Sequence, residues 1–388
     1  MSAERLKPYD VIIIGAGSIG TPAALSLAQA GYRTLVVEEN ASAGQGSNKR
    51  AIGGIRATFS DPAKIGLCLR SIEIFSSWKE NYGDDIEWVR GGYVFVAYRE
   101  QEETSLKALL TIQQSFGLNI RWLDQKQLLE VAPDLNPQGL IGGTYSPEDG
   151  NASPLLAQHA FYRHARNYGA EFHFGEPVIE TIVQKGRAVG VRTRNGVYTG
   201  AVIINAAGPY ARQVAQPLGV DVPVTPDSHE AAITEPVARF LYPLIVDIRP
   251  APGSVNYYFY QHATGQIVFC ITPQPSQWGD DVRETSTFLP MVARRMVDVM
   301  PKLKNIRVRR TWRGCYSMTP DGFPIVGWAR EVEGYLLAVG MCGQGFMLGP
   351  GVGELLTRVV DDRLSEADRG ILTQLSPYRV FQGQETLK

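Results

Sequence analysis

Residues 11–38 leave few folds open to this chain. Val11-Ile12-Ile13-Ile14 is a short, continuous apolar run, as a strand buried on both faces requires. Gly15-Ala16-Gly17-Ser18-Ile19-Gly20 follows at once, and Ala23, Ala24, Leu27 and Ala28 then recur at helical spacing. Gly31-Tyr32 stops that helix, and Leu35-Val36-Val37 reads as a second strand ending at Glu38. The pattern predicts a strand–turn–helix–strand unit opening an α/β domain of Rossmann type. Gly15 permits the tight turn, Gly17 lets backbone approach a pyrophosphate, and Gly20 lets helix and strand pack closely. Ser18 and Ile19 bring the first free N–H groups of the helix, and its partial positive charge, to those phosphates. Glu38, with Glu39 next to it, stands where a carboxylate accepts the hydroxyls of an adenosine ribose, which disfavours NADP.

Composition sets outer limits. The 388 residues suggest two or three domains at roughly 150 residues each. A formal net charge of −1 removes the broad basic field expected of a nucleic-acid binder. No apolar run reaches the roughly 18 residues of a bilayer span. The nearest, Leu336 to Leu348, is interrupted by Gly340, Gly343 and Gly345. The polar stretch Met1–Asp10 leads straight into a strand, so no secretory signal is expected. Cys68, Cys270, Cys315 and Cys342 form no C-x-x-C pair, which favours reduced thiols and a cytoplasmic protein. The five histidines make no metal-ligand pattern, and no metal is expected. Two asymmetries remain: 40 glycines, and no lysine between Lys185 and Lys302.

Further along, Ile65 to Tyr82 reads as an amphipathic helix with Leu69, Ile72, Phe75 and Trp78 on one side. Tyr93 to Ala97 reads as a strand, and Leu106 to Phe116 and Pro154 to Tyr168 as helices. Val178 to Val183, Ala188 to Arg192 and Val197 to Ile204 are separated by Lys185-Gly186 and Asn195-Gly196, which predicts a three-stranded meander. Tyr257 to Tyr260 and Gln266 to Ile271 flank a turn at His262 to Gly265 and predict a hairpin. Met291 to Met300 reads as a helix. Tyr335 to Val339 reads as a strand, followed by a glycine-rich loop and a helix from Gly351 to Val360. The α/β and β-rich stretches alternate, which predicts discontinuous, interleaved domains.

Five separated segments carry a resemblance to a known family. Gly15–Gly20 with Glu38 is the dinucleotide fingerprint. The run from Gly46, Ser47 and Asn48 through Arg50 to Gly53, Gly54, Ile55 and Arg56 resembles the loop along the flavin's pyrophosphate and ring. Asn205-Ala206-Ala207-Gly208 resembles the third FAD contact, and Val178 lies ahead of it in the same part of the chain. Arg310–Tyr316, including Gly314, with Thr319-Pro320-Asp321-Gly322 resembles the crossing into the last FAD-binding segment. Gly340–Phe346, then Gly351–Leu356, resembles the terminal loop and helix beneath the flavin. Over essentially its whole length the chain resembles the D-amino-acid oxidase superfamily of FAD-dependent amine oxidoreductases. Within that group it is most similar to the β subunits of heterotetrameric sarcosine oxidase and archaeal dye-linked L-proline dehydrogenase.

The resemblance implies a Rossmann-type FAD-binding domain interleaved with an α+β substrate domain, whose antiparallel sheet roofs the flavin. It assigns residues 1–86, 150–218 and 316–388 to the first, and 87–149 and 219–315 to the second. Besides the residues just named, it gives cofactor contacts to Gly343, Gln344, Gly345, Phe346 and Met347. It also implies oxidation of the carbon next to a substrate nitrogen, by hydride transfer to the flavin, giving an imine. Arg56 matches an arginine that grips the substrate carboxylate; the other reading is a surface or FAD-directed arginine. Tyr258 and Tyr260 either line the pocket or pack the sheet, and His229 and His262 default to structural roles. Gly314 falls where monomeric sarcosine oxidases attach FAD through cysteine, with Cys315 one residue away, so FAD is expected to be non-covalent. The oxygen-activating lysine of those enzymes has no counterpart near Val268 to Cys270, which favours dehydrogenase behaviour. Met347 replaces a second carboxylate-binding lysine, which implies a less cationic pocket.

These readings converge on an FAD-dependent dehydrogenase or oxidase of a proline-, hydroxyproline- or sarcosine-like amino acid. A partnership with other subunits of a hetero-oligomeric dehydrogenase is implied by the resemblance. The alternatives are an FAD oxidoreductase of a hydroxy acid or polyol, or a flavin-binding subunit without its own turnover.

Overall fold

The computed structural model describes residues 8–387, so most of the expectation for Met1–Asp10 lies outside the described residues. By contact the chain divides into two compact units. The first comprises Met1–Lys49, Leu155–Thr225 and Ser317–Gln384, and the second Arg50–Pro154, Pro226–Tyr316 and Glu385–Lys388.

In the first unit, strand Tyr9–Ile14 pairs in parallel with Thr34–Glu38 on one side and Val197–Asn205 on the other. Glu171–Phe174 and Tyr335–Val339 extend this parallel sheet, and Ile325–Trp328 closes one edge antiparallel. Ile12, Ile14, Leu35, Val37 and Ile203 are buried on one face and Val11, Ile13, Val36 and Ile204 on the other, as a sheet covered on both faces demands. The meander forms as its turn residues predict: Glu180–Gln184, Arg187–Arg192 and Val197–Asn205 pair antiparallel in succession. Its last strand then runs on into the parallel sheet.

Helix Gly20–Gln29 packs against the long helix Gly345–Val360, which only helix Glu366–Gln374 follows among the described residues. Glycine makes this contact possible. A Cβ at Gly353 would stand 2.8 Å from the Pro22 carbonyl carbon and 2.9 Å from the Ala23 nitrogen. One at Gly349 would collide with the Ser18 carbonyl. The long helix therefore begins at Gly345, six residues before the expected Gly351, and contains Pro350. Local propensity argued for a loop; burial of Phe346, Leu348, Val352 and Leu356 overrides it. Asp321 pins the preceding crossing by accepting both Nε (2.8 Å) and Nη2 (3.0 Å) of Arg379.

The second unit is built on an eight-stranded sheet. Its order is Val308–Met318, Thr225–Thr234, Ile267–Pro273, Ser254–Gln261, Leu244–Asp247, Tyr93–Ala97, Gly142–Ser146 and Arg121–Asp124. The predicted hairpin is present, with Tyr258 opposite Cys270 and Tyr260 opposite Val268. Leu244–Asp247 and Tyr93–Ala97 pair in parallel, which brings together segments about 150 residues apart in sequence. Alternation sorts the strands into two faces. Tyr257, Phe259, Phe269 and Ile271 point to a core completed by Phe288, Val292 and Met296 of helix Phe288–Val299. Tyr93, Phe95, Leu244, Tyr260 and Val268 point the other way.

Several boundaries differ from the expected division: residues 150–154, 316 and 385–388 lie in the second unit, and 219–225 in the first. Residues 50–86 lie in the second unit rather than with the dinucleotide domain. Helix Pro62–Tyr82 is tied there through Phe75, stacked on Trp88, and through the neighbouring Phe59 carbonyl, which accepts Gln113 Nε2 at 3.0 Å. Of its expected stripe, Ile72, Phe75 and Trp78 are buried and Leu69 is half-buried.

Candidate active site

In the first unit, four segments far apart in sequence converge around the Gly15–Gly20 turn. Gly15 has φ +104°, and a Cβ there would stand 2.7 Å from the Ala206 carbonyl oxygen, so only glycine fits. Ala206 is held in turn by its own N–H, which donates to Ile14 O at 3.0 Å. At Gly17 a Cβ would meet nothing within 4 Å: the backbone there faces open space. Gly20 lies so close to the Gly15 carbonyl that a side chain would collide with it. Ser18 Oγ donates to Asn48 Oδ1 at 2.9 Å, and Ser18 Cβ lies 3.8 Å from where a Gly345 Cβ would be. Gln158, which the sequence reading did not single out, donates its amide to the Ala16 carbonyl at 3.0 Å.

Two helices begin here without a side-chain cap, Gly20–Gln29 after Ile19 and Gly345–Val360 after Gln344. The amide oxygen of Gln344 is buried and has no hydrogen-bond partner among the described residues. Glu38 is buried; its Oε2 accepts the Ala16 N–H at 2.7 Å and its Oε1 the Asn40 N–H at 2.9 Å. Oε1 also accepts Asn40 Nδ2 at 2.6 Å, so Oε2 is the oxygen that retains a lone pair, enough to accept a hydroxyl. Glu39 is exposed and Ser47 half-buried. Val178 packs at the rim of the sheet core, Ala207 takes its place beside Asn205, and Gly208 adopts φ +56°. Gly343 is also left-handed, at φ +80°. Phe346 is buried and Met347 half-buried in the first turn of helix Gly345–Val360. Open backbone at Gly17, two uncapped helix starts, an orphaned amide oxygen and a buried carboxylate at the end of the second strand fit a bound dinucleotide.

In the second unit, Arg56 is buried at 5% exposure, with its guanidinium 4.0 Å from the centre of the Phe59 ring and 5.4 Å from that of Phe95. It donates Nη1 to the Thr58 carbonyl and Nη2 to the Leu387 carbonyl, the latter at 2.5 Å. Phe95, Tyr260 and Val268 share one face of the sheet, so Arg56 and both candidate tyrosines border the same surface. Tyr260 spends its hydroxyl on the Ile52 carbonyl, which fixes the chain next to Gly53. A Cβ on Gly53 would come within 3.2 Å of that hydroxyl oxygen. Gly54–Ile55 pairs antiparallel with Gly150–Asn151. Arg50 is anchored by its carbonyl, which accepts Trp312 Nε1 at 2.8 Å, and Gly314 lies against its side chain.

Tyr258 Oη lies 2.9 Å from Tyr316 Oη, Tyr316 stacks on His229 at 3.8 Å, and His229 Nε2 lies 3.1 Å from Asp227 Oδ2. Burial pushes both phenols well above their ordinary range. His262 bonds Thr264 and pairs with Glu87 at 3.3 Å. Cys315 is buried beside Ser228, and burial pushes its thiol up.

Asp149, Lys64 and Glu385 are among the buried ionisable residues that the sequence did not single out. Asp149 accepts Thr58 Oγ1 at 2.8 Å and the Ala57 N–H at 3.2 Å. Burial raises its carboxyl to about 6, against the pull of those bonds and of Arg56. Lys64 and Glu385 pair at 3.4 Å, both nearly inaccessible. Lys64 had a visible signal, since it falls on the buried stripe of helix Pro62–Tyr82; Glu385 had none.

The first unit is thus a dinucleotide-binding domain of the kind flavoenzymes use, assembled from three pieces of chain. A family model described as FAD dependent oxidoreductase matches residues 10–359, and the chain belongs to that family. It is a flavoprotein whose cofactor is FAD and an oxidoreductase by activity. Among known proteins it is similar to hydrogen cyanide synthase subunit HcnC of Pseudomonas aeruginosa, at 26% identity over 93% of this chain and 94% of that protein. It is also 26% identical to mitochondrial dimethylglycine dehydrogenase of Rattus norvegicus over 90% of this chain, but spans only 42% of that protein's length. Among solved structures, L-proline dehydrogenase from P. horikoshii matches with a TM-score of 0.88 at 29% identity, over 96% of this chain and 98% of that one. No described helix is long and apolar enough to cross a membrane, and no described cluster of His, Cys, Asp and Glu could hold a metal ion.

Proposed function

We propose that the protein oxidises the C–N bond of a secondary or N-alkyl amino acid, of the proline or sarcosine kind, to an imine. The observation that carries this reading is Arg56: a buried guanidinium on aromatic rings, on the sheet face that also bears Tyr258 and Tyr260. Such a group suits a carboxylate, which it grips through parallel N–H donors. When bound, FAD supplies the electron sink that takes a hydride from the carbon bearing the nitrogen. The chain's own residues hold and orient. Gly17, the two uncapped helix starts and Glu38 receive the dinucleotide, Arg56 receives the carboxylate, and the aromatic face excludes water. The relatives lend support, since L-proline dehydrogenase and dimethylglycine dehydrogenase are named for substrates of this class. Gly314, which has no thiol to offer, supports non-covalent FAD.

Paired substrates test the reading. If Arg56 anchors a carboxylate, kcat/KM for L-proline exceeds that for pyrrolidine, or for sarcosine that for dimethylamine, by about a hundredfold. Arg56→Lys shrinks that ratio. Equal turnover of acid and decarboxylated amine by the native enzyme contradicts it.

A further inference from the structure

We propose that residues Glu385–Leu387 form a strap that competes with substrate for Arg56 and thereby selects carboxylate-bearing amines over plain ones. The inference rests on reading Arg56 as the carboxylate anchor. The Leu387 carbonyl accepts Arg56 Nη2 at 2.5 Å, while Nη1 is bound to Thr58. A two-pronged grip on a carboxylate needs donors on neighbouring nitrogens, and the strap holds one of them. The Leu387 side chain, 1% exposed, packs in the same cluster as Tyr93, Phe95, Leu244 and Tyr260. It therefore fills apolar surface beside the guanidinium, where the hydrocarbon part of a substrate would lie.

The strap is latched two residues upstream. Glu385 Oε1 accepts Ser60 Oγ at 2.6 Å, the Ser60 N–H at 3.0 Å and the Leu387 N–H at 3.0 Å. Its Oε2 lies 3.4 Å from Lys64 Nζ, beyond the roughly 2.7–2.9 Å of a charge-assisted bond, and has no hydrogen-bond partner among the described residues. The latch thus leaves one buried carboxylate oxygen unsatisfied, which favours release over a permanent seal.

Selectivity follows from what each ligand offers Arg56. An anionic carboxylate binds a guanidinium more strongly than the neutral Leu387 carbonyl does, so an amino acid displaces the strap. A plain amine brings no such replacement; it leaves the Arg56–Leu387 bond intact and meets the Leu387 side chain.

The holoenzyme gives the test. Tetrahydrofuran-2-carboxylate has proline's ring and carboxylate but no N–H to oxidise, and its binding is read from the FAD absorbance. Leu387→Ala should tighten its binding about threefold to tenfold, as expected when a mostly closed strap becomes mostly open. The same variant should raise kcat/KM for pyrrolidine more than for L-proline. In the native enzyme, saturation with tetrahydrofuran-2-carboxylate should speed amide hydrogen exchange in a peptide covering residues 380–388. If Leu387→Ala cannot be isolated with FAD bound, Glu385→Gln, which keeps an oxygen for Ser60 but loses the attraction of Lys64, should show the same tightening. Unchanged or weaker carboxylate binding in the variant, with unaltered exchange in the native enzyme, would overturn the strap. Arg56→Lys separates the two claims: if it leaves carboxylate binding untouched, the anchor itself is wrong. If it weakens binding while Leu387→Ala fails to tighten it, only the strap is wrong.

Discussion

Glu38 Oε2 accepts the backbone N–H of Ala16 at 2.7 Å, so the carboxylate at the end of the second strand holds the turn between the first strand and the first helix. One side chain thereby fixes the shape of the turn and, in the proposed function, receives the ribose as well. Replacing it with Gln leaves one oxygen to do the work of two and removes the charge. We expect Glu38→Gln to weaken FAD binding by about ten- to a hundredfold, the worth of one or two charge-assisted hydrogen bonds. Equilibrium dialysis of apoprotein against FAD measures this; an unchanged dissociation constant contradicts the assignment.

Gly15 and Gly17 lie two residues apart, yet their substitution should fail in different ways. Ala at position 15 requires a left-handed φ and stands 2.7 Å from the Ala206 carbonyl oxygen, so the apoprotein itself loses stability, by about 1–3 kcal/mol. Ala at position 17 meets nothing, so the apoprotein melts normally while FAD affinity drops. Thermal melts of both apoproteins, set beside FAD titrations, distinguish the two effects.

Asp149 gives the protein a pH signature. Its folded carboxyl titrates near 6 against an ordinary value of 3.8, burial being the main cause. A raised carboxyl pKa contributes stability that is complete below the unfolded value and is lost as pH rises through the folded one. Asp149→Asn has no such ionisation. Stability of the variant relative to the native protein should therefore improve between pH 4 and pH 7, by about 3 kcal/mol for a two-unit shift. Urea unfolding of both proteins across that range is the check, and a pH-independent difference would exclude this carboxyl as the cause.

The strand segment Val268–Cys270 offers only apolar groups and a thiol that burial pushes up, with Tyr258 and Tyr260 opposite. It provides no cation to stabilise a developing oxygen anion. Reoxidation by a dye such as phenazine methosulfate should therefore far outpace reoxidation by air-saturated buffer. Stopped-flow reoxidation of the substrate-reduced enzyme would show otherwise if oxygen were the faster acceptor.

What could be read from sequence was local. Gly15–Gly20, the Asn195-Gly196 turn and the His262–Gly265 turn each sit beside the strands they connect, and periodicity identified those strands. What could not be read depended on distance. Arg56 and Leu387 meet across 331 positions, and nothing near either residue announces the other. The start of the long helix at Gly345 was hidden because its glycines look like a loop until the helix Gly20–Gln29 is laid against them. Lys64 was legible in principle, as a charge on an apolar stripe, but its partner Glu385 lies more than 300 residues away. Residues 50–86 belong with the second unit for the same reason: their ties, such as that of Phe59 to Gln113, are to elements later in the chain.

Anaerobic reduction of the enzyme's FAD by a panel of candidate donors tests the central claim most directly. Native enzyme mixed with L-proline, trans-4-hydroxy-L-proline, sarcosine or N,N-dimethylglycine should lose its flavin absorbance with at least one of them. Lactate, malate and glycerol 3-phosphate should leave it oxidised. Bleaching by a hydroxy acid or polyol, with none by the amines, would contradict oxidation at the C–N bond.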